Sequence, residues 1–371
     1  MKVDKRLRLV ELYAGTARST QPFLSWRRCV PALLIDKDPV ASRTYLHNFP
    51  RAPYLLGDLT RITPDALILL AGGRVDILLG CPPCQGFSDT GSRDPHDPRN
   101  SHMTLFGAIA EHIKPLAVAM ENVPLAAGTG QFKYLARRME RAGYLWTAAI
   151  VNAALHGSTQ CRQRLVYIAI RKDAGVAPVL SAPTYGGTRE YYSYSLGCMK
   201  PLDSDRIGML GEAPATQRLR RKLRHVEDRL GTRDIPYLSE TLEDLPKIGT
   251  PAARQLGHRA WTHSRNQLLR MGSVPEGARW SGGEDHFSQS YGRLHRRGLA
   301  RTITTYFANP GSGRFWHPTE NRALTLREAA RLQGFPDSFR FPVPAAARLV
   351  GNALDGAIAE IIYRSIRASL E

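Results

Sequence analysis

Val75-Asp-Ile-Leu-Leu-Gly-Cys-Pro-Pro-Cys-Gln-Gly-Phe-Ser88 runs from a short, largely aliphatic stretch straight into a turn that neither helix nor strand can continue. A run of that length is the size of a strand buried on both faces, and the glycine and prolines behind it end the strand at its carboxyl side. Working outward, the same unit recurs. Residues 7–13, 32–35, 54–56, 116–120 and 165–170 are further short apolar runs, separated by helical or turn-rich segments. This alternation predicts an α/β fold built on a doubly wound, parallel sheet. Residues 89–100, rich in Gly, Pro, Asp and Ser, should form a loop at the carboxyl edge, where open α/β sheets keep their sites.

The chain has 371 residues with 43% hydrophobic content, enough for a large core and, at roughly 100–200 residues per domain, for two domains, with room for a third. Disorder and fibrous repeats are excluded. Lys+Arg 51 against Asp+Glu 33 gives a formal charge of +18, the balance of a protein that meets a polyanion such as nucleic acid. No stretch approaches the ~20 apolar residues of a membrane span, and the N-terminus lacks a secretory pattern, so a soluble, unexported protein is expected. Cysteines at 29, 81, 84, 161 and 198 are too sparse and uneven for a disulfide framework and indicate a reducing compartment. Between 174 and 297 the strand pattern gives way to Tyr185, Tyr191, Tyr192, Tyr194, scattered turns, a basic helical stretch at 217–230 and a basic excess within 251–300; this reads as a second, smaller domain. Order then returns. Thr325-Leu-Arg-Glu328 is a capping box opening a helix over 326–333, which Gly334 and Pro336 stop. Leu354, Ala357, Ile358, Ile361, Ile362 and Ser365 mark one face of an amphipathic terminal helix.

Three motifs carry chemistry. Cys84, at the end of a buried strand with an open loop beyond it, is placed as a nucleophile. With Cys81 it also forms a CxxC, but zinc lacks a second ligand pair, and a redox motif should open a helix that Gly86 opposes. Cys81 itself reads as a small packing residue. Glu121-Asn122-Val123 closes the next strand with a carboxylate that either needs a buried partner or merely caps a turn. In Gln160-Cys-Arg162-Gln-Arg164, alternation puts both arginines on one face, beside Glu121 if the two strands are neighbours and on a solvated edge otherwise.

In this order the motifs resemble the DNA (cytosine-5)-methyltransferase family. Pro83-Cys84-Gln85 is similar to its nucleophile motif, Glu121-Asn122-Val123 to its acid motif and Gln160-x-Arg162-x-Arg164 to its arginine motif. The likeness continues in 322–337, in Tyr291-Gly-Arg-Leu294 with Arg301-Thr302, and in Gly351-Asn352, leaving 174–290 poorly matched. The resemblance implies a Rossmann-like methyltransferase sheet in a catalytic and cofactor-binding domain at 1–173, a target-recognition domain at 174–297, and a return segment at 298–371 that completes both. It implies methyl transfer from S-adenosylmethionine to C5 of a cytosine flipped out of double-stranded DNA, with S-adenosylhomocysteine as product. Cys84 would add to C6, because C5 is too electron-poor to accept a methyl group until the ring becomes an enamine. Glu121 would protonate N3, Arg164 would orient Glu121 and the base, Arg162 would brace the loop, and Asn122 would hold local backbone. The donor would lie among Tyr13, Ala14, Gly15, Asp36, Lys37, Asp58, Leu59, Pro83, Leu105 and Asn352. Asp36 would take the ribose and Asp58 the adenine amino group. DNA contacts would fall to Gln85, Ser88, Arg99, Arg293, Arg301 and Thr302, with the 89–100 loop closing over the base. The resemblance implies no metal and no membrane. It further implies a monomer acting in the cytoplasm at the nucleoid, with a companion restriction endonuclease left open.

Departures from the family pattern centre on the donor. Ala17 and Arg18 stand where paired glycines are usual, Asp36 replaces Glu, Lys37 replaces an apolar lid, and the tail after Gly351-Asn352 lacks its proline-rich continuation. Two cations near a sulfonium predict weaker donor binding than in relatives, strengthened by Arg18→Gly unless Arg18 turns outward. Rival readings are a tRNA cytosine-5 methyltransferase, whose usual Cys-Phe-Thr is absent, and a non-catalytic DNA-binding protein, which would not need Cys84, Glu121 and Arg164. A dinucleotide dehydrogenase would require the Gly-x-Gly-x-x-Gly that the Gly15 turn lacks.

Overall fold

The computed structural model describes residues 5–83, 101–181, 238–281, 290–342 and 344–371. Cys84, Gln85, Ser88, Arg99, the 89–100 loop, the four tyrosines and the 217–230 stretch lie outside the described residues. The first part of the chain runs β1 (Leu7–Leu12), β2 (Cys29–Asp36), α1 (Pro39–Asn48), β3 (Tyr54–Leu56), α2 (Pro64–Leu70), β4 (Ile77–Gly80), α3 (Ser101–Ile113), β5 (Ala117–Asn122), α4 (Gly130–Arg141), β6 (Tyr144–Asn152), β7 (Gln160–Cys161) and β8 (Gln163–Arg171). Then follow α5 (Leu238–Leu242), α6 (Pro251–Gln255), α7 (Arg265–Gly272), β9 (Ala300–Arg301), α8 (Leu326–Leu332), α9 (Ala347–Asn352) and α10 (Gly356–Leu370).

The main sheet has the order β3-β2-β1-β4-β5-β8-β6. Strands β1 to β5 are parallel, but β8 is antiparallel to both β5 and β6, so the expected parallel sheet is in fact mixed. Strand β6 was not legible as an apolar run, because it lies at the sheet edge and most of its residues are only half-buried. Alternation sorts the sheet's side chains onto two cores. Val10, Leu12, Leu78, Val118 and Met120 face α3 and α4 through Phe106, Ile109, Leu135 and Met139. Leu9, Ile77, Leu79, Ala119 and Ile168 face the opposite way, where Phe23 and the apolar stripe Ile358, Ile362 and Ile366 of α10 cover them. The terminal helix read from its spacing thus belongs to the sheet, and Asp355 caps it by accepting Ala357 N at 2.9 Å.

A third core gathers Leu238, Leu294, Ile303, Phe307, Leu324, Leu332, Phe335 and Phe339. Its helix α8 starts on the expected capping box, with Thr325 Oγ1 accepting Glu328 N at 3.1 Å and Glu328 Oε2 accepting Thr325 N at 2.8 Å. It ends at Gly334, whose φ of +78° suits a residue without a side chain. Strand β9 pairs in parallel with β7 and ties this region to the edge of the main sheet.

Candidate active site

Because β1 to β5 run parallel, their carboxyl ends open on one edge, and the order of strands reverses between β1 and β4, where such sheets bind ligands. A cavity of about 550 Å³ lies there, within the roughly 300–1,000 Å³ of small-molecule and cofactor sites. Strand β8 runs the other way, so its amino end reaches the same edge. That is why Arg162 and Arg164 stand just before and at the start of their strand, while Asp36, Glu121 and Asn122 stand at the ends of theirs.

Glu121, at the end of β5, lies opposite Val166 of β8, and Arg164 Nε meets Glu121 Oε1 at 2.7 Å. The carboxylate thus has the buried partner that its position requires. Asn122 Nδ2 donates to Pro82 O at 3.2 Å while its Oδ1 accepts Val123 N at 2.8 Å, fixing the backbone that leads to Pro83 and Cys84. Arg162, 2% exposed, donates from Nη1 to Ile303 O and from Nη2 to Gly351 O and Ala353 O, each at 3.1 Å. It braces the return segment rather than a base. Cys81 Sγ lies 3.6 Å from Ser19 Oγ, and burial, reinforced by the nearby Glu121 and Glu11 carboxylates, pushes its thiol up. A thiol held protonated in this way suits packing rather than disulfide exchange. Among the described residues no group of His, Cys, Asp and Glu could hold a metal, and no helix is long and apolar enough to cross a membrane.

On the other side of the cavity, Tyr13, Ala14, Gly15, Asp36, Lys37, Asp58, Leu59, Pro83 and Asn352 all line the wall. Asp36 accepts Gly15 N at 2.8 Å on one oxygen and Asp38 N at 2.9 Å on the other, so its carboxylate is fixed in direction while lone pairs remain for hydroxyls. Burial raises its pKa, opposed by those backbone bonds. Gly15 has φ +52°, and Tyr54 Oη pins it by donating to its carbonyl at 2.8 Å. Asp58 caps a short turn, accepting Thr60 N at 3.0 Å and Thr60 Oγ1 at 2.9 Å on Oδ1.

Other expected site residues fall elsewhere. Leu105 does not line the cavity; its side of α3 packs against the core, and His102, one turn earlier, takes the wall position, with its Nδ1 3.1 Å from Tyr13 Oη. Arg293 is not a surface contact for DNA. It is 4% exposed and donates to Val274 O, His317 O and Glu320 O at 2.8 Å each, to Met271 O at 2.5 Å and to Asn321 Oδ1 at 2.7 Å, so all its donor nitrogens serve backbone and side chain inside the fold. Thr302 Oγ1 donates to Cys161 O at 3.0 Å, holding the β7–β9 pair in which Arg301 also lies. Arg18 is not turned outward; it lines the cavity, with its guanidinium buried against Gly334 and Phe335. Sequence reasoning also missed Arg348, which donates to Asp38 Oδ1 at 2.7 Å on the cavity rim, because nothing local links residues so far apart.

The family model for C-5 cytosine-specific DNA methylases matches residues 7–368. The chain belongs to that family. As a C-5 cytosine-specific DNA methylase it is 28% identical over 350 residues to the Type II methyltransferase M.DdeI of Desulfomicrobium norvegicum, covering 90% of this chain and 80% of that protein. It is also 28% identical over 351 residues to the Type II methylase M.HgiDII of Herpetosiphon aurantiacus, covering 91% and 88%. Among solved structures, an E. coli prophage protein described as a candidate DNA modification methyltransferase shares the fold with a TM-score of 0.65 at 21% identity, over 98% of this chain and 99% of that one. The sheet is therefore the methylase sheet, and the enzyme is a DNA (cytosine-5) methyltransferase.

One group lining this methylase's cavity titrates near neutrality. Glu11 is 1% exposed, and burial pushes its carboxyl from the ordinary 4.5 up to about 7, although Thr20 donates to it from N at 3.1 Å and from Oγ1 at 2.5 Å. The folded protein therefore holds this proton more tightly than the unfolded chain. The resulting stability is fully present below the unfolded value and is lost as pH rises through about 7. Glu11→Gln keeps an acceptor for Thr20 but cannot ionise. Relative to the wild type it should gain stability between pH 5 and pH 8, by up to about 1.4 kcal/mol per pH unit. Chemical denaturation of both proteins at the two pH values checks this; a difference independent of pH would contradict it.

Proposed function

We propose that this methylase transfers a methyl group from S-adenosylmethionine to C5 of a cytosine flipped out of double-stranded DNA, through a covalent bond to Cys84. The observation that carries the reading is the Arg164–Glu121 ion pair, 2.7 Å long, on the cavity that Pro83 also lines, one residue before Cys84. The Cys84 thiolate forms a bond to C6, and the ring electrons displaced toward N3 are met by a proton from Glu121, which Arg164 orients. When bound, S-adenosylmethionine supplies an electrophilic methyl group, which the activated C5 accepts. A base then removes the C5 proton, the C6–sulfur bond breaks so that Cys84 leaves as thiolate, and the N3 proton returns to Glu121, leaving 5-methylcytosine.

The residues present fit that donor. The directed Asp36 carboxylate suits ribose hydroxyls, Asp58 an exocyclic amine, and the Gly15 turn allows backbone to approach closely. Gln85, Ser88, Arg99 and Arg301 are proposed as DNA contacts, and 174–297 as the segment that reads the target, with 1–173 and 298–371 forming the catalytic part. The protein is proposed to act in the cytoplasm as a monomer. The names of its curated relatives favour DNA over tRNA and suggest a paired restriction endonuclease. Bisulfite sequencing of DNA from cells expressing the protein should show protected cytosines within one short sequence context. Complete conversion of the DNA, or protection found only in tRNA, would overturn the reading.

A further inference from the structure

Two departures from the family pattern, Arg18 in the donor loop and the proline-poor tail, meet each other in the fold. Arg18 is 6% exposed; its Nη2 donates to Gly334 O at 2.6 Å, its Nη1 to Gln21 Oε1, and its guanidinium carbon lies 4.6 Å from the centre of the Phe335 ring. Gly356 closes over the same group. A Cβ there would stand 2.5 Å from Arg18 Nη2, nearer than side chains tolerate, so the missing side chain at 356 makes the room that Arg18 fills. Buried Asp355, next in the chain, accepts Ser158 Oγ at 2.8 Å and Gln160 Nε2 at 3.2 Å. Gln160 Oε1 accepts Ile303 N at 2.7 Å, its Nε2 reaches Gln333 Oε1 at 2.5 Å, and Gln333 Nε2 donates to Ala353 O at 2.5 Å. Polar contacts thus run from the donor loop to Gly334 and, through its chain neighbour Gln333, to the carbonyl beside Asn352. Ala17 meanwhile has φ +50°, a conformation that favours glycine and that a residue with a side chain keeps only when its surroundings hold it.

We propose that Arg18 is a positioning residue: by clamping the donor loop to Gly334, Phe335 and the space at Gly356, it holds that loop and Asn352 in register as two walls of the donor cavity. This rests on reading the cavity as the donor site. It reverses the expectation from charge alone, because the guanidinium, although Arg18 lines the cavity, is engaged by the Gly334 carbonyl, Gln21 and the Phe335 ring.

Calorimetric titration of the full chain with S-adenosylmethionine, and separately with S-adenosylhomocysteine, tests it without DNA. Arg18→Gly and Gly356→Ala should each weaken binding about tenfold. The double variant should bind no worse than Arg18→Gly alone, since the added methyl group then meets no guanidinium. Arg18→Lys, still able to donate to Gly334, should recover part of the loss. In turnover the KM for the donor should rise while kcat on DNA holds. Donor affinity in Arg18→Gly equal to or tighter than the wild type, or full additivity of the two single losses, would overturn the proposal. Should Arg18→Gly fail to fold, unchanged affinity in Gly356→Ala would overturn it as well. A wild type that bound neither ligand would overturn the donor reading instead, and the same cycle read by thermal unfolding would still decide the clamp.

Discussion

Cys84→Ser is expected to reduce methyl transfer to background while leaving affinity for duplex DNA close to that of the wild type. The hydroxyl that replaces the thiol is a far weaker nucleophile at neutral pH, so the ring is never activated at C5. Nothing else need change. The Glu121–Arg164 pair is supported from β5 and β8, and Asn122 holds Pro82, so the variant should keep the surrounding frame. Methylation of duplex DNA with labelled donor, together with a DNA-binding titration, measures both halves; a variant that methylates at the wild-type rate would contradict the assignment.

Arg162→Ala should have the second largest effect, acting on stability and on donor affinity together. The side chain satisfies the carbonyls of Ile303, Gly351 and Ala353, and no water can easily replace a guanidinium that is 2% exposed. Removing it leaves the carbonyls of Ile303 and Gly351 short of a partner, while Ala353 O keeps Gln333 Nε2, a loss of about 2 kcal/mol or more. The junction it holds has no slack. A Cβ on Gly351 would come within 2.4 Å of the Thr304 carbonyl carbon and of Thr305 N, so the two backbones are in direct contact there. Asn352, between two of the carbonyls that Arg162 holds, lines the cavity proposed for the donor, and loosening the junction should therefore cost donor binding as well. Arg162→Lys cannot reproduce the fork and should rescue little. Thermal unfolding and donor titration check this; a variant with wild-type Tm would show that the contacts are incidental.

The sequence carried the sheet where strands were buried on both faces and the site where strand ends met turn-forming residues. β1, β4 and β5 were readable from unbroken apolar runs, and Glu121 and Asp36 from their places at the ends of such runs. The orientation of β8 was not readable, because a buried strand has the same composition in either direction. That orientation alone decides whether Arg164 reaches Glu121. β6 was hidden by its half-exposed edge position. Buried arginines misled most. Arg293 and Arg18 look like solvated cations in a basic chain, yet Arg293 is enclosed by carbonyls, and Arg18 packs on Phe335 and finds a carbonyl at Gly334, 316 residues away. Local sequence holds no sign of such partners. Leu105 failed for a smaller reason: one turn of α3 separates it from His102, and the turn decides which of them faces the cavity.

The central claim is a covalent bond between Cys84 and C6 of the target cytosine, and duplex DNA carrying 5-fluorocytosine tests it most directly, since fluorine at C5 cannot leave as a proton and the final elimination is blocked. Incubated with S-adenosylmethionine and run on a denaturing gel, the wild type should yield a protein–DNA adduct that survives denaturation, and Cys84→Ser should yield none. A wild type that methylates ordinary cytosine yet forms no adduct, or an adduct that persists in Cys84→Ser, would contradict the account.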